Sequence, residues 1–270
     1  MQIYLSFLAA ALYILSISLP GRLLMLTNIL SVIAWLLHGA SLWLTIFPTP
    51  DALRVGFAVM LSAALWISVF VCWLENRKAA LDGLRLLLMP NAALMCILPS
   101  FFPGSLIALA GKTTMFPWHV VVALLAYGTL TIAAFHAVVM TLQDKHLHKL
   151  RGPQQHRWLN TLIDRLPALL TMEKILFRFI VFGFVLLTLT VLSGVIFSEQ
   201  ILGVAFKWDH KTILSLLSWL LFAILLAGRH WRGWRGKTVL SFTLSGFVTL
   251  LLAYVGSRFV LEVLLHRSLT

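Results

Sequence analysis

Charge is scarce in this sequence, and acidic charge most of all. Of its 270 residues only 11% are Asp, Glu, Lys or Arg, and Asp and Glu together number nine. A water-soluble domain of this length needs far more polar surface to cover itself, so a soluble fold is excluded. The same shortage counts against a transporter or channel, because Glu262 is the one clear carboxylate inside an apolar run. Cysteine is nearly absent too. Cys72 and Cys96 both sit within apolar runs and form neither a CxxC pair nor a CxxCH motif. That removes a thiol-redox centre and covalent c-type haem attachment, and leaves two small buried side chains. No phosphate loop, zincin motif or nucleophile elbow is present. There is also no sustained repeat, low-complexity tract or soluble domain.

What the sequence has instead is apolar length: 60% of it is hydrophobic. Eight runs, at 3–19, 28–47, 55–74, 84–101, 119–142, 175–197, 212–228 and 238–263, read as helices able to cross a hydrocarbon core of ~30 Å. The fourth is interrupted by Pro90 and Pro99, which predicts a kinked or partly interfacial helix. The fold class is therefore all-α, a polytopic membrane bundle of about eight transmembrane helices forming one domain over 1–270. The N-terminal stretch lacks a basic region before its apolar run and reads as a retained helix.

The net charge of +12 reads as membrane topology and not as nucleic-acid binding. The segments after runs one, three, five and seven carry 15 of the 21 Lys and Arg residues. Cytoplasmic loops retain these residues, so both termini are expected outside, on the periplasmic face. The longest loop, 143–174, is then cytoplasmic. Within it Trp158, Leu159, Leu162, Ile163 and Leu166 share a helical face flanked by basic residues, the pattern of a short helix lying among headgroups. His146, His148 and His156 in that loop have no Cys or carboxylate spacing beside them, and read as a solvated basic loop facing anionic lipid.

With this topology His119, His210 and His266 fall at one depth, the outer interface, on three different helices. Trp118 and Trp208 stand beside the first two. Two imidazoles at one level of a bundle can ligate a haem iron axially, with tryptophans as flat walls. Interfacial His and Trp also serve as amphipathic anchors. His38 and His136 lie deeper, ~15 Å and ~9 Å from the inner ends of their helices. A neutral, hydrogen-bonded core histidine is the expectation for His136.

Several phrases resemble the cytochrome c assembly family of membrane proteins, including its CcsA-like and HemX-like branches. "MEKILFRFIVFGFVLLTLTVLSGVIF" is similar to that family's Arg-containing helix, and "KWDHKTILSLLSWLLF" to its Trp-Asp-Pro-Lys-Glu helix entry. "GRHWRGWRGK" resembles its Gly-Trp-Arg-Gly-Arg cytoplasmic turn. "AYVGSRFVLEVLLHRS" resembles its last helix, and "WHVVVALLAYGTLTIAAFHAVV" the segment carrying its other outer histidine. The resemblance is strongest over 118–270. It implies haem b with His119 and His266 as candidate axial ligands, and Trp208 and Asp209 in the external segment beneath the porphyrin. His38 corresponds to the family's first intramembrane histidine. Ala227 stands where the second falls, and His210 where the family has proline.

The functional expectation is a non-enzymatic protein of the bacterial inner membrane, of the cytochrome c assembly type, with a haem site at its outer face. The alternative is a structural or regulatory partner of another membrane complex that keeps the fold without handling haem. The expected partners are the lipid bilayer, haem and a membrane protein, with no nucleic acid and no metal beyond haem iron.

Overall fold

Long apolar runs become helices here because a backbone in lipid must satisfy its own hydrogen bonds. The structure, a computed structural model, describes residues 2–19, 23–49, 52–76, 82–108, 116–149, 168–202, 209–256 and 259. Among them are eight α-helices: α1 (Gln2–Ser18), α2 (Leu24–Ile46), α3 (Phe57–Asn76), α4 (Asp82–Phe101), α5 (Phe116–Lys149), α6 (Leu169–Leu202), α7 (His210–Arg232) and α8 (Lys237–Leu251). A π-helical turn, Leu252–Gly256, extends α8.

Six of these helices are long and apolar enough to cross a membrane. The remaining two are shorter on that measure: α1 has 17 residues, and the apolar part of α4 is Leu88–Phe101. A helix the length of α1 rises about 26 Å, slightly under a ~30 Å hydrocarbon core. The chain is thus a polytopic helical membrane protein with six evident spans. α4 runs as one helix through Pro90 and Pro99. In turn, α5 and α6, at 34 residues each, extend past the expected ends of their apolar runs.

One element departs from the all-α expectation. Strands β1 (Ala52–Val55) and β2 (Ser105–Ala108) pair antiparallel, with Leu53 opposite Ile107 and Arg54 opposite Leu106. They join the start of α3 to the end of α4.

The helices close into two adjacent rings. In the first, α1 packs on α2 and α4, and α3 closes the circle against both. In the second, α5 packs on α6 and α8, and α7 closes against those two. Antiparallel neighbours are pinned by polar rungs such as Gln2 to Thr45 at 2.6 Å and Ser6 to Ser41 at 2.6 Å. Between α2 and α3, Trp35 and Trp66 stack at 4.8 Å, and each indole donates to the other's main-chain carbonyl.

The rings meet mainly along α3 and α5. There Ser68 donates to the carbonyl of Gly128 at 2.9 Å. A Cβ on Gly128 would stand 2.7 Å from Ile67 Cγ2, so this seam needs glycine. The outer surface of the second ring is frankly apolar. On α6, Val181, Phe182, Val185, Leu189 and Leu192 are exposed while Ile180, Leu186 and Leu187 are buried. A helix face of that kind is at home against lipid tails.

Candidate functional site

The ends of the second ring that gather polar groups lie around His119. α5 begins at Phe116 with Pro117 in its first turn, where a missing N–H is harmless. Trp118 follows, 65% exposed, and then His119, half-buried. His119 Nδ1 lies 2.7 Å from Ser193 Oγ on α6. The Ser193 hydroxyl also lies 2.7 Å from the Leu189 carbonyl and 3.1 Å from that of Thr190, its own preceding turn.

α7 adds the next group. Asp209 caps this helix from an extended backbone, its carboxylate accepting from the Thr212 N–H at 2.8 Å. Burial works to raise the Asp209 pKa, but the Thr212 hydrogen bonds and the charges of Lys211 and His210 hold it below the ordinary value. His210, the first residue of α7, is exposed. The Lys211 ammonium sits 4.6 Å from the centre of the Tyr254 ring, in the turn after α8. Lys211 thus folds its charge over an aromatic face. Tyr254 in turn meets Tyr127 edge-on at 6.3 Å, and Tyr127 donates to the Leu250 carbonyl at 2.8 Å. One histidine and one serine thus meet between α5 and α6, one lysine and two tyrosines meet between α7, α5 and the turn after α8, and the charge of Lys211 is felt at His119. Trp208 and His266 lie outside the described residues.

His38 belongs to the other ring. It is fully buried, with Tyr13 Oη 3.4 Å from Nδ1 and Ser62 Oγ 2.9 Å from Nε2. Those partners come from α1 and α3, and Tyr13 also meets the imidazole edge-on. Both ring nitrogens are engaged inside a closed bundle. His38 and His119 are therefore not brought to one site.

His136 corrects an expectation. It is fully buried on α5 against Phe179 of α6, ring centres 5.3 Å apart. Neither of its nitrogens meets a hydroxyl or makes a hydrogen bond of good geometry. Among the described residues, the one polar group acting on the ring is the Ile132 carbonyl, one turn back on its own helix. Antiparallel packing of α5 on α6 turns it toward an apolar wall and not a hydroxyl. It remains a core histidine, but not one bonded to another helix. Among the described residues no three His, Cys, Asp or Glu side chains group as metal ligands.

At the opposite end, the turn after α7 is more enclosed than its basic sequence suggests. Arg229 donates to Glu173 at 2.7 Å and to the Trp234 carbonyl at 2.9 Å, and lies over Phe177. Trp234 packs on Phe242 and covers Gly228, where a Cβ would meet its ring at 2.4 Å. Gly233, at φ 64, ends α7 in the left-handed region that glycine tolerates. Trp231 is left 80% exposed. Trp231 thus stands out from the bundle while Trp234, three residues on, is packed into it.

Comparison with known proteins bears on both rings. A family described as cytochrome C assembly protein matches residues 23–265. The chain is similar to the inner membrane protein YpjD of Escherichia coli K12, 30% identical over 239 residues, which is 87% of this chain and 86% of that protein. It is also similar to the cytochrome c biogenesis protein CcsA of Chlamydomonas reinhardtii, 28% identical over 198 residues, or 73% of this chain and 53% of that protein. The CcsA of Prochlorococcus marinus is 37% identical over 89 residues, 33% of this chain and 28% of its own. The family match begins in front of α2, so it takes in α2, α3 and α4 of the first ring and leaves out α1.

Proposed function

Because the chain belongs to the cytochrome C assembly protein family, we propose that it is a non-enzymatic protein of the bacterial inner membrane that holds haem b at its outer face in cytochrome assembly. In this reading all eight helices cross the membrane and both termini are periplasmic, which puts the His119 cluster outside and the Arg229 turn in the cytoplasm. The asymmetry of Lys and Arg supports that orientation.

The observation that carries the reading is the hydrogen-bonded imidazole of His119 beside the ends of α6, α7 and α8. Haem would supply an iron able to bind imidazole nitrogens. His119 fits that role, since Ser193 holds one ring nitrogen and thereby orients the other. The second ligand in this reading is His266, which enters on the family resemblance. Asp209 keeps the start of α7 in place, and Lys211 sets a positive charge beside the site. His38 does not fit a porphyrin, because Tyr13 and Ser62 occupy both its nitrogens in a buried ring.

The test is the visible spectrum of the purified protein after haem is added. With His38 engaged and Ala227 in place of a second deep histidine, weak or substoichiometric low-spin bands are expected, lost in His119→Ala and in His266→Ala. No band for the wild type, or equal bands in all three proteins, removes these histidines as ligands. The second reading, a scaffold that stabilises another membrane complex, is favoured by the closed hydrogen-bonded cluster around His38 and would then lead. Protein purified colourless from haem-replete cells supports it.

A further inference from the structure

We propose that Lys174 and Arg178 on α6 form, with Arg232 at the end of α7, a binding site for the headgroup of an anionic phospholipid. Haem plays no part in it. On α6 the exposed residues Leu170, Lys174, Arg178, Phe182, Val185 and Leu189 follow one another at steps of three and four, so they form a single stripe along the helix. The apolar members of that stripe suit lipid tails. The two cations interrupt it near one end, about 6 Å apart along the axis. A charge on a lipid-facing surface is costly unless an opposite charge meets it. At the edge of the hydrocarbon layer, the group within reach of a long basic side chain is a lipid phosphate.

The neighbouring acid is already paired. Glu173 is the only Asp or Glu in α6 before Glu199, and α7 and α8 contain none. Its carboxylate receives the Arg229 guanidinium at 2.7 Å, and Arg229 also lies 4.6 Å from the centre of the Phe177 ring. Those contacts bring the last turn of α7 against the turn of α6 that carries Lys174 and Arg178. Arg232, exposed, follows Arg229 by three residues and so lies on nearly the same side of α7. Trp231, 80% exposed on that turn, marks the headgroup level. Three exposed cations thus share one end of the α6–α7 seam, and Arg229 holds the carboxylate that could have neutralised them. A zwitterionic headgroup brings its own ammonium and cancels little of this charge. A headgroup of net negative charge complements it.

The experiment measures lipid binding by the purified full chain. Native mass spectrometry from detergent, with phosphatidylglycerol or phosphatidylethanolamine of matched acyl chains added, reads the lipids bound and their affinities. Phosphatidylglycerol is expected to bind the wild type more tightly, and to be released as salt is raised. Lys174→Gln combined with Arg178→Gln is expected to weaken it about 25-fold, or roughly fivefold for each cation lost. Lys174→Arg combined with Arg178→Lys, which keeps both charges, is expected to stay near the wild type. Arg178→Gln alone, expected to weaken binding about fivefold, carries the test if the double glutamine variant does not fold. Equal affinity of the wild type for the two lipids overturns the site. So does phosphatidylglycerol binding that is unchanged in a folded glutamine variant. Displacement of the lipid by inorganic phosphate at constant ionic strength assigns the cations to a free anion, and overturns the lipid site as well.

Discussion

A buried imidazole that no other helix hydrogen-bonds is an odd thing to keep in a membrane bundle. His136 has only the Ile132 carbonyl of its own helix acting on it among the described residues, while His38, equally buried, makes a hydrogen bond at each nitrogen. The contrast separates a ring that ties helices together from one that merely fills space. Leaving a buried polar group unpaired costs about 1–3 kcal/mol, so an apolar residue of similar volume should relieve that cost. His136→Leu is expected to raise the thermal midpoint in detergent, whereas His38→Leu, which strands Tyr13 and Ser62, should lower it. A drop for His136→Leu would mean that its nitrogens find a partner in the membrane. Neither behaviour was visible in the sequence, where both histidines are single polar residues in apolar runs. Which side of a helix meets a hydroxyl depends on its rotation against a neighbour, and composition carries no record of that. The same holds for Ser193, which in an apolar helix reads as a self-bonded hydroxyl and nothing more.

Among the elements, α7 begins on a charge that responds to pH. The Asp209 carboxylate accepts from Thr212 N–H in the first turn, where the helix dipole also favours negative charge. Its pKa is depressed in the folded protein. The cap therefore stabilises fully above the unfolded carboxyl pKa, and that contribution is lost as pH falls through the folded value. Asp209→Ala should cost about 1 kcal/mol at neutral pH. The gap from wild type in thermal midpoint should close as the solution is acidified, and Asp209→Asn, which keeps an acceptor oxygen, should show a smaller gap. A gap constant with pH would assign the loss to something other than the cap. The Asp-to-helix boundary itself was legible, because a short acid before an apolar run is a recognisable start. The strands were not: "ALRV" and "SLIA" are four residues each, too short to show a period. The long ends of α5 were also hidden, since Gln143, Asp144 and Lys145 continue the helix after hydropathy has fallen away.

On the scale of the whole molecule, the orientation is the part most open to direct test. Reporter fusions after Arg151 and Arg235 are expected to read cytoplasmic, and one after Lys112 external. Opposite signals at two of these three points would reverse or break the eight-span topology. Six of the eight apolar runs reappear, among the described residues, as helices long and apolar enough to span, whereas the grouping into two rings was not readable from apolar length. It rests on contacts such as Ser6 with Ser41 and Arg229 with Glu173, whose partners are 35 and 56 residues apart.

That grouping has a consequence in time as well as space. Each ring is wound from four helices consecutive in the chain, and each closes on itself before the next residue is required. A protein is made from its N-terminus, so α1 to α4 can complete their circle while α5 is still unsynthesised. The tryptophan clasp and the His38 cluster would then be finished early, with no demand on anything downstream. The second ring arrives to find a formed wall in α3, presenting Ile67 and Ser68 to the bare backbone of Gly128. Assembly in the membrane is then expected to be the docking of a late half onto an early one, with the order of synthesis setting the order of folding.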